Sequence, residues 1–235
     1  MKAFIAGLLD LLFPAICVGC NDRLVEGETL ICTVCFNGFP ETDSHTLIDN
    51  IARNHFVGKA SITYGFTLYI LRKKSHLEQA LFAMKYKNQP KIGYILGQRY
   101  GNILDEAPMM ESIDAIIAVP LHPKRFKERG YNQSDFFAKG LSDALHIPLY
   151  EGCIERTRYT ASQTTKNKSE RITNLQAAFK VRQPDLLTDK HILLVDDILT
   201  TGATLASCTN TLLAAGVGQV SIATIAIVEE SVASV

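Results

Sequence analysis

A chain of 235 residues, 47% hydrophobic and 20% charged, has enough apolar material for one ordinary domain with a smaller attachment. Its 24 basic side chains balance 24 acidic ones, which excludes a strongly basic nucleic-acid binder and makes any polyanion site a local one.

Residues 1–15 are apolar with one early lysine, but Asp10 interrupts the run and no small-x-small cleavage site follows. Phe4, Leu8, Leu11 and Leu12 recur on one face, which predicts an amphipathic helix rather than a signal peptide and a cytoplasmic chain. Cys17-x2-Cys20 and Cys32-x2-Cys35 come next, 11 residues apart. Two thiolate pairs at this spacing suit a tetrahedral, structural Zn2+ with no open position for catalysis. Disulfides would need an oxidising compartment, and a redox Cys-x-x-Cys would explain one pair but hardly two. Residues 41–58 are polar without a period and read as a linker. The expected division is therefore helix, zinc ribbon and linker over 1–57 and a main domain over 58–235.

In the main domain, 60–66 and 67–71 read as a pair of short strands. Leu77, Ala80, Leu81 and Met84, then Ile92, Ile95, Leu96, Ile103 and Leu104, recur at helical spacing, with Pro90 between the two helices. Residues 113–119 read as a buried strand ending at Pro120, and Phe136, Phe137, Leu141, Ala144 and Leu145 mark a helix. A weaker strand at 151–158, a polar loop at 160–169, an apolar strand at 191–195, a helix at 203–215 closed by Gly216 and a strand at 219–228 complete the chain. Cys153 and Cys208 fall on the weaker strand and the last helix as ordinary buried cysteines. Residues 198–228 carry no charge over 31 positions, yet their threonines, Asn210, Gln219 and glycines fit a turn, a buried helix and a buried strand better than a membrane span. Apolar strands alternating with helices predict an α/β fold, a parallel sheet with helices on both faces, with ligands beyond the carboxyl ends of the strands.

Two such ends carry unusual residues. After the strand at 191–195 come Asp196 and Asp197, then Thr200, Thr201, Gly202, Ala203 and Thr204 at the start of a helix. Helix amides and threonine hydroxyls suit a phosphate, glycine lets the backbone approach it, and paired carboxylates suit ribose hydroxyls or the waters of a Mg2+ ion. No lysine follows the glycine, so this is not a Walker loop. The segment resembles the phosphoribosyl pyrophosphate motif of type I phosphoribosyltransferases. In that fold the loop after the other strand holds pyrophosphate, which here implies Pro120, Leu121, His122, Lys124 and Arg125. Residues 124–129 carry four basic side chains against one acidic, and 156–171 carry five against one. The second segment reads as a mobile polar loop. Phe126 and Tyr131 lie among the charges and could stack on bases, although core anchoring is the simpler reading.

The four-cysteine ribbon, Leu81-Phe82-Ala83-Met84-Lys85-Tyr86, Val119-Pro120-Leu121-His122, Arg129-Gly130-Tyr131-Asn132-Gln133, Gln163 with Arg171 and Asn174, and residues 196–204 together resemble the ComF family of phosphoribosyltransferase-like competence proteins. Tyr131 stands where that family often has Phe. The resemblance implies a cytoplasmic factor acting on incoming single-stranded DNA, binding phosphoribosyl pyrophosphate with Mg2+. It implies DNA or loop contacts at Arg129, Asn132, Gln133, Arg156, Gln163 and Arg171, and partnership with a competence helicase or another uptake protein. It does not securely imply a transferase reaction. An active phosphoribosyltransferase with an unknown acceptor, and a ligand-sensing regulator that binds a partner through the ribbon, remain as alternatives.

Overall fold

The computed structural model describes residues 14–157 and 178–229. In chain order it has helices α1 (Thr33–Gly38) and α2 (Ile51–Asn54), strand β1 (Gly65–Leu71), helices α3 (His76–Tyr86) and α4 (Lys91–Leu104), and a 3-10 turn at Pro108–Ser112. Strand β2 (Ala115–Ala118), helices α5 (Pro123–Arg129) and α6 (Gln133–Leu145), strands β3 (Ile154–Arg156) and β4 (Phe179–Val181), and helix α7 (Pro184–Leu187) follow. Strand β5 (His191–Leu199), helix α8 (Ala203–Ala214) and strand β6 (Gln219–Val228) close the fold. The expected amphipathic helix at 1–15 and the polar loop at 160–169, with Arg158, Gln163, Lys166, Lys168, Arg171 and Asn174, lie outside or largely outside the described residues.

The sheet has the order β1-β6-β5-β2 with every pair parallel. Its central strand shows why the sequence reads as an unbroken apolar run. Leu193 and Val195 enter the core formed with α3, α4 and α6, while Ile192 and Leu194 enter the core formed with α2, α7 and α8. A strand buried on both faces has no polar side to alternate with. The helices on the first face cross closely, because a side chain at Gly97 would sit 2.3 Å from the Phe137 carbonyl and one at Gly140 would sit 2.2 Å from that of Tyr94. This fixes α6, and with it the residues at its N-terminus, against the end of β5.

Four departures from the sequence reading have physical causes. The expected pair of strands at 60–66 and 67–71 is one strand, β1. It begins at Gly65, where α2 presses its backbone so close that a side chain would meet Arg53 N at 2.5 Å. Strand β5 continues past Val195 through both aspartates, in register with Thr224, Ala226 and Ile227 of β6. The basic stretch 124–129, expected as a loop, is helix α5, started by Pro123 and capped by the His122 ring, which accepts from Lys124 N at 3.1 Å. The short β4 was not anticipated, since three residues show no period; it pairs antiparallel with β3.

The polar stretch 41–58 is packed rather than extended. Its first residues run antiparallel to the open edge of β1, with Thr42 N donating to Leu68 O at 2.8 Å and Ser44 Oγ bonded to both backbone groups of Thr67. An exposed sheet edge is thereby covered. The cysteine ribbon shares a continuous apolar core with β1 and α3, through Cys17, Ile31, Cys35 and Phe39 beside Leu68, Tyr69 and Leu77.

Candidate functional site

The carboxyl ends of β2 and β5 lie side by side, Ala118 opposite Val195, and a cleft of about 210 Å³ opens beyond them. Its floor is the end of β5. Asp196 Oδ1 accepts from Ser134 Oγ and from Asp197 N, both at 2.9 Å. Burial and the neighbouring Asp197 charge push the Asp196 carboxyl up to about 6, against the pull of those two donors and Lys85. Asp197 Oδ2 pairs with Lys85 Nζ at 2.8 Å, both side chains largely buried.

One wall is the start of α8. Gly202 occupies its N-cap in the left-handed conformation, φ 72°, and offers no side-chain cap, so its own side chain takes none of the first-turn amides at the positive end of the helix dipole. Thr200 and Thr204 line the cleft. Thr201 does not; its hydroxyl accepts from Ala203 N at 3.4 Å and its carbonyl accepts from Lys59 Nζ at 3.1 Å, so it braces the turn from outside. Gly202 and Ala203 do not line the cleft either, and buried Gly202 backs onto His55 and Phe56.

The opposite wall follows β2. Val119, Pro120 and Leu121 line the cleft, as does Arg125 from α5, whereas His122 and Lys124 do not. The His122 imidazole is held below its ordinary pKa by burial and by the cations Arg156, Arg125 and Lys124. Arg129, Asn132 and Gln133 also line it. Asn132 Nδ2 donates to Val119 O at 3.0 Å and pins the two segments together, and Arg129 Nη1 donates to Gln133 Oε1 at 2.8 Å. Arg156 enters from β3, its guanidinium 5.3 Å from the Phe179 ring centre. Burial pulls its pKa down while Asp196 opposes that shift. Gln163 and Arg171 lie outside the described residues.

Sequence reasoning missed Lys85 and Ser134. Lys85 sits in one of the segments that carry the family resemblance, but nothing in α3 announces that its charge meets Asp197, 112 positions later. Ser134 looks like any polar residue in the first turn of a helix. Together the cleft sets Lys85, Arg125, Arg129 and Arg156 around two acids, three hydroxyls (Ser134, Thr200 and Thr204) and a helix N-terminus. That donor set suits a polyanion that also bears hydroxyl groups. A second cavity of about 360 Å³ adjoins it, sharing Pro120, Leu121 and Asn132.

The four N-terminal cysteines form a separate cluster. Their sulfurs all lie within 4.8 Å of one another, and Cys20 Sγ is 3.7 Å from Cys32 Sγ. A tetrahedral zinc with bonds of about 2.3 Å places its sulfurs about 3.8 Å apart, so the cluster can hold such an ion. Burial would raise the Cys17 thiol, but amide donors, including Cys32 N at 3.2 Å and Gly19 N at 3.4 Å, outweigh it and bring the thiol down to about 7. A thiolate is the form that binds metal.

Residues 134–232 match the family model of the phosphoribosyl transferase domain. The chain is 28% identical to a DNA utilization protein YhgH of Shigella flexneri over 224 residues, 89% of this chain and 95% of that one. It is 34% identical to competence protein F of Haemophilus influenzae over 110 residues, 46% of this chain and 48% of that one. Among solved structures, a glutamine phosphoribosylpyrophosphate amidotransferase from B. subtilis matches with a TM-score of 0.42 at 18% identity, over 61% of this chain and 30% of that one, so the chain spans less than a third of that enzyme. Among the described residues no helix is long and apolar enough to cross a membrane. The parallel sheet, the cleft beyond it and the match over residues 134–232 give the chain a phosphoribosyltransferase-like fold, and its similarity to the DNA utilization and competence proteins, with the four-sulfur ribbon, supports the resemblance to the ComF family.

Proposed function

We propose that the chain binds phosphoribosyl pyrophosphate with Mg2+ and acts in the cytoplasm in DNA uptake, contacting single-stranded DNA through its basic surface. The observation that carries the reading is the cleft itself. It sets Asp196 and Asp197 beside the open N-terminus of α8 and opposite Arg125, Arg129 and Arg156. In this reading Thr200, Thr204 and the amides of α8 hold the 5-phosphate, and the carboxylates face the ribose hydroxyls or Mg2+-bound waters. The arginines meet the pyrophosphate. Structural Zn2+ in the ribbon holds α3 and so Lys85 in place. The relatives' names, DNA utilization protein and competence protein F, support the assignment to DNA handling. The boundary near residue 58 then separates a metal-held support from the ligand-binding part.

Calorimetry with phosphoribosyl pyrophosphate and Mg2+ tests the reading. Wild type should bind and the double variant Asp196→Asn, Asp197→Asn should lose most of the heat. A wild-type protein that gives no heat would refute it. A second reading, an active phosphoribosyltransferase, is favoured by the adjoining cavity, which offers room for an acceptor beside the cleft. Pyrophosphate release across a panel of bases and amines separates the two readings.

A further inference from the structure

Helix α3 buries Leu77, Ala80, Leu81, Ala83 and Met84, yet it turns two aromatic rings outward. Phe82 and Tyr86 are 52% and 61% exposed, one turn apart, with ring centroids 4.9 Å from each other. Lone exposed hydrophobics are ordinary, but a paired aromatic face bordered by cations is not a solvated helix surface. Arg129 extends that face: its guanidinium lies 5.1 Å from the Tyr86 ring centre, and Nη2 donates to Tyr86 Oη at 3.3 Å. A wide recess of about 690 Å³ runs beside them, lined by Lys85, Tyr86, Asn88, Arg125, Glu128 and Arg129. Lys85, Arg125 and Arg129 also line the phosphate cleft.

Building on the reading above, we propose that Phe82, Tyr86 and Arg129 form a stacking platform for the bases of single-stranded nucleic acid. The strand's backbone crosses the cations of α5, and it competes with phosphoribosyl pyrophosphate for Lys85, Arg125 and Arg129. Flat, exposed rings beside a row of cations fit a ligand that has flat faces and a regular line of negative charge. A duplex hides its base faces, and an acidic peptide has no use for the rings. The polyanion site that zero net charge requires to be local is thus shared between two ligands, and the shared cations make their binding mutually exclusive.

Fluorescence anisotropy with labelled oligothymidylate at several salt concentrations tests the proposal. Phe82→Ala should weaken binding roughly tenfold, within the range expected for one lost base stack, and leave the salt slope unchanged, because no phosphate contact is removed. Phe82→Trp should retain affinity, which guards against a folding defect in the alanine variant. An abasic strand of the same length, which loses every stack, should bind wild type at least as weakly as oligothymidylate binds Phe82→Ala. Saturating phosphoribosyl pyrophosphate with Mg2+ should displace the strand from wild type. If wild type binds no oligothymidylate even at low salt, the DNA-contact part of the proposed function falls with this one. If wild type binds but Phe82→Ala, the abasic strand or an added polyglutamate competitor shows charge alone at work, the platform is wrong and the wider reading stands. Strand binding that is indifferent to phosphoribosyl pyrophosphate overturns the competition.

Discussion

The ribbon and the cleft solve opposite problems at two ends of the same helix. The ribbon gathers four sulfurs from 19 consecutive residues (17–35), surrounds them with amide donors and packs them into a shared core. The cleft gathers its groups from α3, α5, α6, β3, β5 and α8, and keeps them under electrostatic tension, with two adjacent carboxyls and a desolvated arginine. One arrangement can be closed by a single ion and would then serve stability. The other stays unbalanced until a ligand of opposite charge pattern fills it. Helix α3 joins them, its N-terminal His76 within 3.6 Å of Cys35 Sγ and its Lys85 paired with Asp197.

Removing the metal should have the largest effect and tests whether the two ends are coupled. Without an ion, four sulfurs crowd one another and the ribbon loses the bonds that close it. Chelation should remove several kcal/mol and lower Tm by about 10 °C or more in a chain of this length. Because the ribbon core continues into α3, calorimetry after chelation should also show weakened ligand binding. A chelated protein that keeps its ligand affinity while losing Tm would show the two ends to be independent.

The cleft makes the opposite prediction for a substitution that spoils function. An aspartate whose carboxyl is pushed from 3.8 up to about 6 is destabilised when ionised. The cost is absent below the unfolded value, grows as pH rises through the window between 3.8 and 6, and is constant above it. Asp196→Asn keeps an acceptor for Ser134 and for Asp197 N but removes the charge. At pH 7 it should therefore stabilise the protein by roughly 1–3 kcal/mol while abolishing ligand binding. Denaturant midpoints at pH 4 and pH 7 check this: the advantage should nearly vanish at the lower pH. An equal gain at both would remove charge as its cause.

The contrast also explains what the sequence made legible. A ribbon whose ligands repeat within one short stretch is visible in the spacing of Cys17, Cys20, Cys32 and Cys35. The double-sided burial of β5 and β6 is visible as apolar runs, and the glycine past α8 as its end. The acid pair and threonines of residues 196–204 stood out because they are contiguous. Lys85 and Ser134 did not, since their importance lies in contacts 112 and 62 residues away. The packed state of 41–58 was hidden for a related reason. Its polar side chains pair with the backbone of a distant strand, so Thr42 and Ser44 are buried where composition suggests a spacer. Helix α5 escaped because its surface is charged all round and no apolar stripe marks it.

The smallest expected effect probes the scaffold of the phosphate turn. Gly202 has φ 72°, and a side chain there would also stand 2.9 Å from His55 Cδ2 and 3.3 Å from Phe56 Cε1. Gly202→Ala thus meets two separate penalties. The left-handed conformation costs about 1 kcal/mol for an alanine, and crowding adds a comparable amount if His55 cannot yield. His55 is almost fully buried, with its ring against the Thr200 and Thr201 backbone, so the cost of removing the ring itself is read from the His55→Ala single variant. His55→Ala in the Gly202→Ala background should therefore recover the steric part alone, leaving about 1 kcal/mol, as read from a double-mutant cycle of denaturant midpoints. Full recovery would mean the backbone conformation costs nothing. No recovery would mean the imidazole moves aside freely, and the turn would then owe its shape to its own backbone and to Lys59 rather than to the wall behind it.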